Sequence, residues 1–231
     1  MKLSLFALTA VALASLSVGC SGTPEGDAAE QDSYLRGDAG RDARANAEAP
    51  DASADGGAGT FVDPRDGQSY PTIKLGAKTW LAKNLNFAIA GSSFCYGDDA
   101  RNCASDGRLY TFTAARTACP VTFHLSTDDD WKSLETAVGM DDAELDLEGY
   151  STVRGTNEGT TLKSPAGFGA RPAGFRTGAT YEALGDRTYF WTASTRGADV
   201  WRRRIAVAEP TVFRFTNPPQ GFAISVRCVQ D

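Results

Sequence analysis

An α+β fold with short antiparallel strands and two helices is what this sequence predicts, placed behind a signal peptide and a disordered linker. Three observations carry the prediction. Residues 61–231 contain runs in which apolar and polar side chains alternate, two helical patterns lie among them, and residues 21–60 lack the large side chains of a core. The 231-residue chain is 42% hydrophobic, and its 12 Phe, 7 Tyr and 4 Trp suffice for a packed interior, while 24 Gly predict many turns. That balance excludes a wholly disordered chain, a collagen and a coiled coil.

The first element is an address, spanning residues 1–19. Lys2 precedes an apolar run from Leu3 to Leu16 that is too short to span a membrane and has the length of a secretory signal core. The run ends in Leu16-Ser17-Val18-Gly19-Cys20, which resembles the lipobox of bacterial lipoproteins, with Ser17 standing where leucine is usual and Leu16 one place further out. That resemblance implies cleavage before Cys20 and acylation of its sulfur, so that the partner is a membrane, reached through lipid. An ordinary signal cut near Ala12-Leu13-Ala14 is the alternative. Ser21 after the modified cysteine is compatible with an outer-membrane destination, with the domain in the periplasm or at the cell surface.

Residues 20–60 follow as the lipidated cysteine and an acidic tether. From Ser21 to Thr60 nine acids, among them Glu25, Asp27 and Asp55, face only Arg36, Arg41 and Arg44, a net of −6. Such a segment buries too little to offset its ordering entropy. Its root-mean-square span is about 35 Å. The whole chain is also formally −6, so with Lys2 set aside the rest is nearly neutral. The folded part therefore has no bulk attraction for nucleic acid.

Residues 61–231 have the length of one domain. Phe61 to Gly67 reads as a turn, and Tyr70–Leu75 and Lys78–Ala82 as strands of a hairpin about Gly76. From Gly91 to Gly107 runs a loop rich in Gly, Ser and Asp, with Cys95 and Cys103 eight positions apart. Phe112, Ala115 and Cys119 share one face of a short helix that Pro120 ends. A longer helix starts at Thr127, whose hydroxyl caps it while Asp130 reaches back. Asp128 and Asp129 face its positive end, Trp131, Leu134 and Val138 line its buried stripe, and Gly139 stops it. Helix-start chemistry accounts for the three aspartates more simply than calcium does, because a hard cation needs more oxygens at regular spacing.

The last third is strand-like. Thr188–Ala193 is β-rich; Trp201, Arg203, Ile205 and Val207 alternate with Arg202, Arg204 and Ala206; Phe213 and Phe215 flank Arg214; and Phe222, Ile224, Val226 and Cys228 alternate with Ala223, Ser225 and Arg227. Arg202 and Arg204 then face outward, as a candidate ligand surface for an acidic glycan or the protein's own acidic tether, or as an ordinary basic strand face. Arg203, on the inward face, predicts a buried carboxylate partner or a ring to stack on.

Five cysteines less Cys20 leave four, in a compartment where thiols oxidise. Four cysteines allow three pairings. Cys119 and Cys228 both face inward, which favours a Cys119–Cys228 bridge together with a local Cys95–Cys103 bridge.

The segments FVDPRDGQSYPTIKLGAKTWLAKNLNF, GRLYTFTAARTACPVTFHLSTDDDWKSL, GFGARPAGFR, YFWTAS and GFAISVRCVQD resemble successive signatures of the Fibrobacter succinogenes major paralogous domain, over Phe61 to Asp231. The chain departs from that pattern at Thr122, Phe123 and Ser126, where Gly, Trp and Pro are more usual, and this bears on the turn there. More distantly, the order of helix cysteine, His-Leu, capped helix and final-strand cysteine is similar to C-type-lectin-like folds and to formylglycine-generating-enzyme relatives. That likeness implies the same bridge between Cys119 and Cys228. Fold analogy does not carry activity.

Catalytic chemistry finds little support in the residues. The formylglycine-generating relatives work through a cysteine pair near the C-terminal end, where this chain has only Cys228. His124 sits in a Phe-His-Leu stretch and reads as a buried or turn-satisfying histidine. No Gly-x-Ser-x-Gly elbow, phosphate-binding Gly-Lys-Ser/Thr loop or paired metal-histidine motif occurs. Asp141 with Asp142 and Glu144 with Asp146 read as a solvated acidic face rather than a glycosidase pair. Glu209-Pro210-Thr211 reads as a hairpin turn, since Thr211 replaces the amide of the lectin calcium signature. The expectation is a non-catalytic binding or surface-interaction domain, without catalytic residues, cofactor or metal, whose partner is a glycan or an envelope protein. An oxidase of the formylglycine-generating type or a glycan hydrolase is the alternative.

Overall fold

The computed structural model describes residues 59–149 and 154–231. The expectations for the signal segment, Cys20 and the tether up to residue 58 lie outside the described residues. Within them the chain is α+β, as its patterning predicts. β1 (Gly59–Val62), β2 (Ser69–Leu75) and β3 (Lys78–Leu81) form an antiparallel meander. β4 (Ser93–Phe94), α1 (Ala100–Asp106), β5 (Leu109–Thr111), α2 (Phe112–Ala118), β6 (His124–Leu125) and α3 (Asp128–Ala137) come next. The second half carries α4 (Glu158–Lys163), β7 (Ala173–Thr177), β8 (Thr180–Leu184), β9 (Arg187–Arg196), β10 (Asp199–Ala206), β11 (Phe213–Asn217), β12 (Phe222–Ile224) and β13 (Cys228–Gln230).

The strands form two sheets. One runs β1-β2-β3-β13-β6; the other runs β11-β10-β9-β7-β12-β5-β4, with β8 attached to β7. Every strand pair is antiparallel except β7 with β9, which meet in parallel at Gly174 and Thr188. Gly174 lets β7 touch three neighbours: a Cβ there would meet the Glu182 carbonyl oxygen at 2.5 Å and the Tyr96 ring at 2.7 Å.

Local chemistry explains the elements that the sequence reveals. Gly76 takes φ +62° at the turn between β2 and β3, where L-residues are strained. At α3 the capping box is complete, with Thr127 Oγ1 accepting from the Asp130 N–H and the Asp130 carboxylate accepting from the Thr127 N–H. Trp131 and Leu134 are buried beneath it. The Glu209–Thr211 segment lies in the turn between the antiparallel neighbours β10 and β11, a hairpin as read.

Three expectations are corrected. The stapled loop from Gly91 to Gly107 contains α1, capped by Asp99, and α4 is a further helix, so the described residues hold four helices rather than two. The run from Phe222 to Cys228 is not one strand, because β12 lies in the larger sheet and β13 in the smaller, and every residue from Ala223 to Val229 is buried where it crosses between them. The third correction concerns Arg202 and Arg204. The alternation assigns their face correctly, but the larger sheet is covered on both faces. Adjacent residues of β9 serve different cores, Phe190 packing with Trp80, Trp131 and Phe168, and Trp191 with Tyr110, Val200 and Ile224. Arg202 is therefore 2% exposed and Arg204 only half-exposed.

Candidate functional site

Two disulfides close the domain. Cys95 joins Cys103, eight residues away, and Cys119 joins Cys228 across 109 residues. Cys119 stands just past the end of α2 and Cys228 opens β13, so the long bridge fastens the α2 layer to the last strand. The four cysteines that the sequence pairs are thereby brought together as two bonds, leaving no thiol among the described residues.

The buried ionic groups form a network that the sequence disclosed only in part. Arg203 is fully buried; its Nη1 donates to Asp128 Oδ1 at 2.7 Å and its Nε to Glu135 Oε1 at 2.7 Å. Both predicted options hold, since its guanidinium also lies 5.8 Å from the Trp131 ring. Arg214 donates to the second oxygen of Asp128 at 2.7 Å, and Arg154 grips Glu135 through both terminal nitrogens. Burial works to raise the Asp128 pKa, but hydrogen bonds from Arg214 and the charge of Arg203 outweigh it and hold this carboxyl far below the usual range. Asp128 thus has two roles, at the helix start and as an anchor for two strand arginines. Its position in a run of three aspartates signals only the first.

Arg227 is also fully buried, yet among the described residues it has no carboxylate partner. Its Nε donates to Asn84 Oδ1 at 2.9 Å, its Nη1 to the carbonyls of Leu81 and Phe168 at 2.9 and 2.5 Å, and its Nη2 to Gly169 O at 2.7 Å. The guanidinium stacks 4.1 Å from the Phe168 ring. Burial pushes its pKa down to about 9. It acts as a pin between β13, the end of β3 and the segment before β7.

His124 pairs with α3: its Nε2 lies 3.0 Å from Asp130 Oδ2. The histidine sits in strand β6 and is 41% exposed, so it is neither buried nor in a turn as the sequence suggests, but its ring is satisfied by Asp130. Ligand atoms of His124, Asp130 and Asp231 lie within 4.8 Å of one another. Lys78 already supplies the cation there, with its ammonium 2.8 Å from Asp130 and 2.6 Å from Asp231. The Asp130 pKa is opposed by burial and lowered by this ammonium and by the Thr127 N–H. Lys78 joined to Asp130 and Asp231, with His124 joined to Asp130, makes a clasp between β3, β6, α3 and the C-terminal residue.

One of the open surfaces is a face of aromatic rings around Phe222. Phe175 meets Tyr189 edge-on at 5.2 Å, and Tyr189 meets Phe215 at 6.1 Å. Arg202 lies between rings, 4.3 Å from Trp191 and 4.7 Å from Phe222, and its Nη2 donates to Pro218 O at 2.6 Å. Arg204 stacks 3.8 Å from its cross-strand neighbour Phe213. Between these rings is a cavity of about 100 Å³ lined by Phe175, Tyr189, Arg202, Phe215, Asn217 and Phe222. On the far side of Phe222 a second, wider cavity of about 280 Å³ opens between the Pro219–Gly221 turn, Gly178 and the Thr111–Thr113 start of α2. Arg202 is thus present at a candidate surface, but in its floor rather than projecting from it.

A disulfide-clamped α+β domain with this element order defines the class. The Fibrobacter succinogenes major domain family matches residues 73–230, and the chain belongs to that family. Searches of curated proteins and of solved structures found no match to it.

Proposed function

We propose that this chain is an envelope-anchored lipoprotein, held by lipid on Cys20, that displays its domain as a non-catalytic binding or surface-interaction module for a glycan or an envelope protein. One observation carries the reading: the described cysteines and the buried carboxylates are spent on structure. The described cysteines are in disulfides, and each buried carboxylate has an internal partner. Asp63 holds Arg65, Asp128 and Glu135 hold arginines, Asp130 holds Lys78, and Glu158 accepts the N–H of Thr156. A nucleophile or general base needs an unspent group beside a cavity. The cavities at Phe222 instead offer rings and planar polar side chains, the usual furniture of recognition. The lectin-like likeness of the sequence agrees with this reading at the level of fold alone.

The test is a binding screen of the full chain against glycans and envelope proteins, with and without calcium, run beside assays for glycan hydrolysis and thiol oxidation. Saturable binding without turnover is expected. Turnover, or the absence of saturable binding to every panel member, would overturn the proposal. For the anchor, metabolic labelling with a fatty acid should mark the chain, and Cys20→Ser should abolish the label and release the protein from membranes.

A further inference from the structure

Resting on the binding-module reading, we infer that the wider cavity beside Phe222 binds acidic saccharides, with Arg176 as the carboxylate receptor. Three features converge. First, no Asp or Glu lines this cavity. Second, Arg176 lines it: among the described residues its guanidinium makes no ion pair, and it lies against the rings of Phe94 at 4.0 Å and Tyr181 at 5.7 Å, with the Tyr181 hydroxyl as a polar neighbour that itself donates to Asp98 Oδ1 at 2.6 Å. Its Nε is buried without a hydrogen-bond partner. The strand arginines Arg203 and Arg214, by contrast, are held by carboxylates. Third, Phe112 and Phe222 are half-exposed in the cavity wall, while Thr113 and Gln220 are exposed at it.

Each feature selects something. A guanidinium pre-oriented by ring stacking takes a carboxylate with little ordering cost, and planar forks favour carboxylate geometry. Aromatic faces carry negative π density and suit the C–H-bearing face of a pyranose. Hydroxyl and amide side chains then meet the sugar hydroxyls. A ring that carries a carboxylate, an apolar face and several hydroxyls is a uronic acid. The cavity volume of about 280 Å³ falls just below the range of roughly 300–1,000 Å³ typical of small-molecule sites, which suits one sugar ring of a chain that continues into solvent.

Titration calorimetry of the full chain with tetragalacturonate, with the neutral tetrasaccharide cellotetraose and with oligoglutamate tests this. Tetragalacturonate should bind at least tenfold more tightly than cellotetraose, and its affinity should fall as salt rises. Arg176→Gln should remove that advantage, while Arg101→Gln, exposed and outside the cavity lining, should leave it intact. Because Arg176 also stacks on Phe94 and Tyr181, thermal unfolding checks the variant. If it is unfolded, Thr113→Val and Gln220→Ala decide, each expected to weaken binding by about three- to tenfold. Equal affinity for the charged and neutral tetrasaccharides, equal affinity for oligoglutamate, or undiminished binding by the folded variants overturns the inference. Saturable binding of another panel member that Arg176→Gln leaves unchanged would do so too, while the broader binding reading stood.

Discussion

Replacing Arg203 with methionine removes the centre of the buried ionic network while keeping most of the side-chain stem. The residue is 0% exposed and bridges Asp128 and Glu135, each at 2.7 Å. Breaking one partner out of a buried pair costs about 3–5 kcal/mol, chiefly through the charges left behind. Here Asp128 keeps Arg214 and Glu135 keeps Arg154, so the loss belongs at the lower edge, about 3 kcal/mol. For a domain of this size that is a fall in Tm of roughly 6–12 °C. Urea unfolding with the disulfides intact should show a lower midpoint and an unchanged slope. The pH dependence gives a second readout. The Asp128 carboxyl is held far below its ordinary value, burial opposing and Arg214 and Arg203 prevailing. Its contribution is therefore present above its unfolded pKa of about 3.9 and is lost as the pH falls below it. Arg203→Met should shrink that acid-side loss. A variant within about 1 kcal/mol of the parent, with the same acid profile, would refute the assignment of Arg203 as the network's anchor.

Other expectations follow from single contacts. Arg227→Lys should cost about 2–4 kcal/mol in chemical denaturation, because one ammonium cannot reach Asn84 and the carbonyls of Leu81, Phe168 and Gly169 together; a neutral result would mean that the guanidinium geometry is unimportant. Thr122 adopts φ +83°, where a β-branched residue carries about 1–2 kcal/mol of strain. Thr122→Gly should then raise stability by about 0.5–1 kcal/mol after the gain in unfolded-state freedom, and calorimetry showing no increase would contradict the strain. Removing the 109-residue bridge as Cys119→Ser with Cys228→Ser should cost about 4.8 kcal/mol in the loop-entropy picture, against about 2.5 kcal/mol for the eight-residue bridge. Comparable losses from both pairs would show that loop length does not govern their worth.

Much of the fold was legible because local rules and tertiary demands agree in it. Thr127 and Asp130 form the capping box that their spacing announces, Gly76 turns the hairpin, and Cys119 and Cys228 meet because both face the interior. The substitution at Thr122 was legible in the same way: the family pattern favours glycine at a position whose backbone is left-handed here. What escaped was whatever depends on a second covering layer. Period-two alternation tells which side chains share a face, not whether that face meets solvent, so Arg202 reads as outward and is buried. α1 escaped because Arg101, Asn102, Ser105 and Asp106 leave its seven residues hardly any apolar stripe, only Cys103 being buried. In the candidate site, the residues Arg202 and Arg204 were found but their exposure was misjudged. Phe175, Tyr189, Phe222 and Arg176 went unnoticed, because the strand register that assembles them is long-range and no local spacing encodes it.

The central claim is that the domain's sulfurs are spent on holding α2 to the last strand and not on chemistry. Peptide mapping of the full chain under denaturing, non-reducing conditions, with free thiols blocked beforehand, tests it most directly. The account predicts linked peptides for Cys95 with Cys103 and for Cys119 with Cys228, and no blocked thiol at any of the four. A substantial fraction of blocked thiol at Cys119 or Cys228, or a crossed pairing, would contradict it.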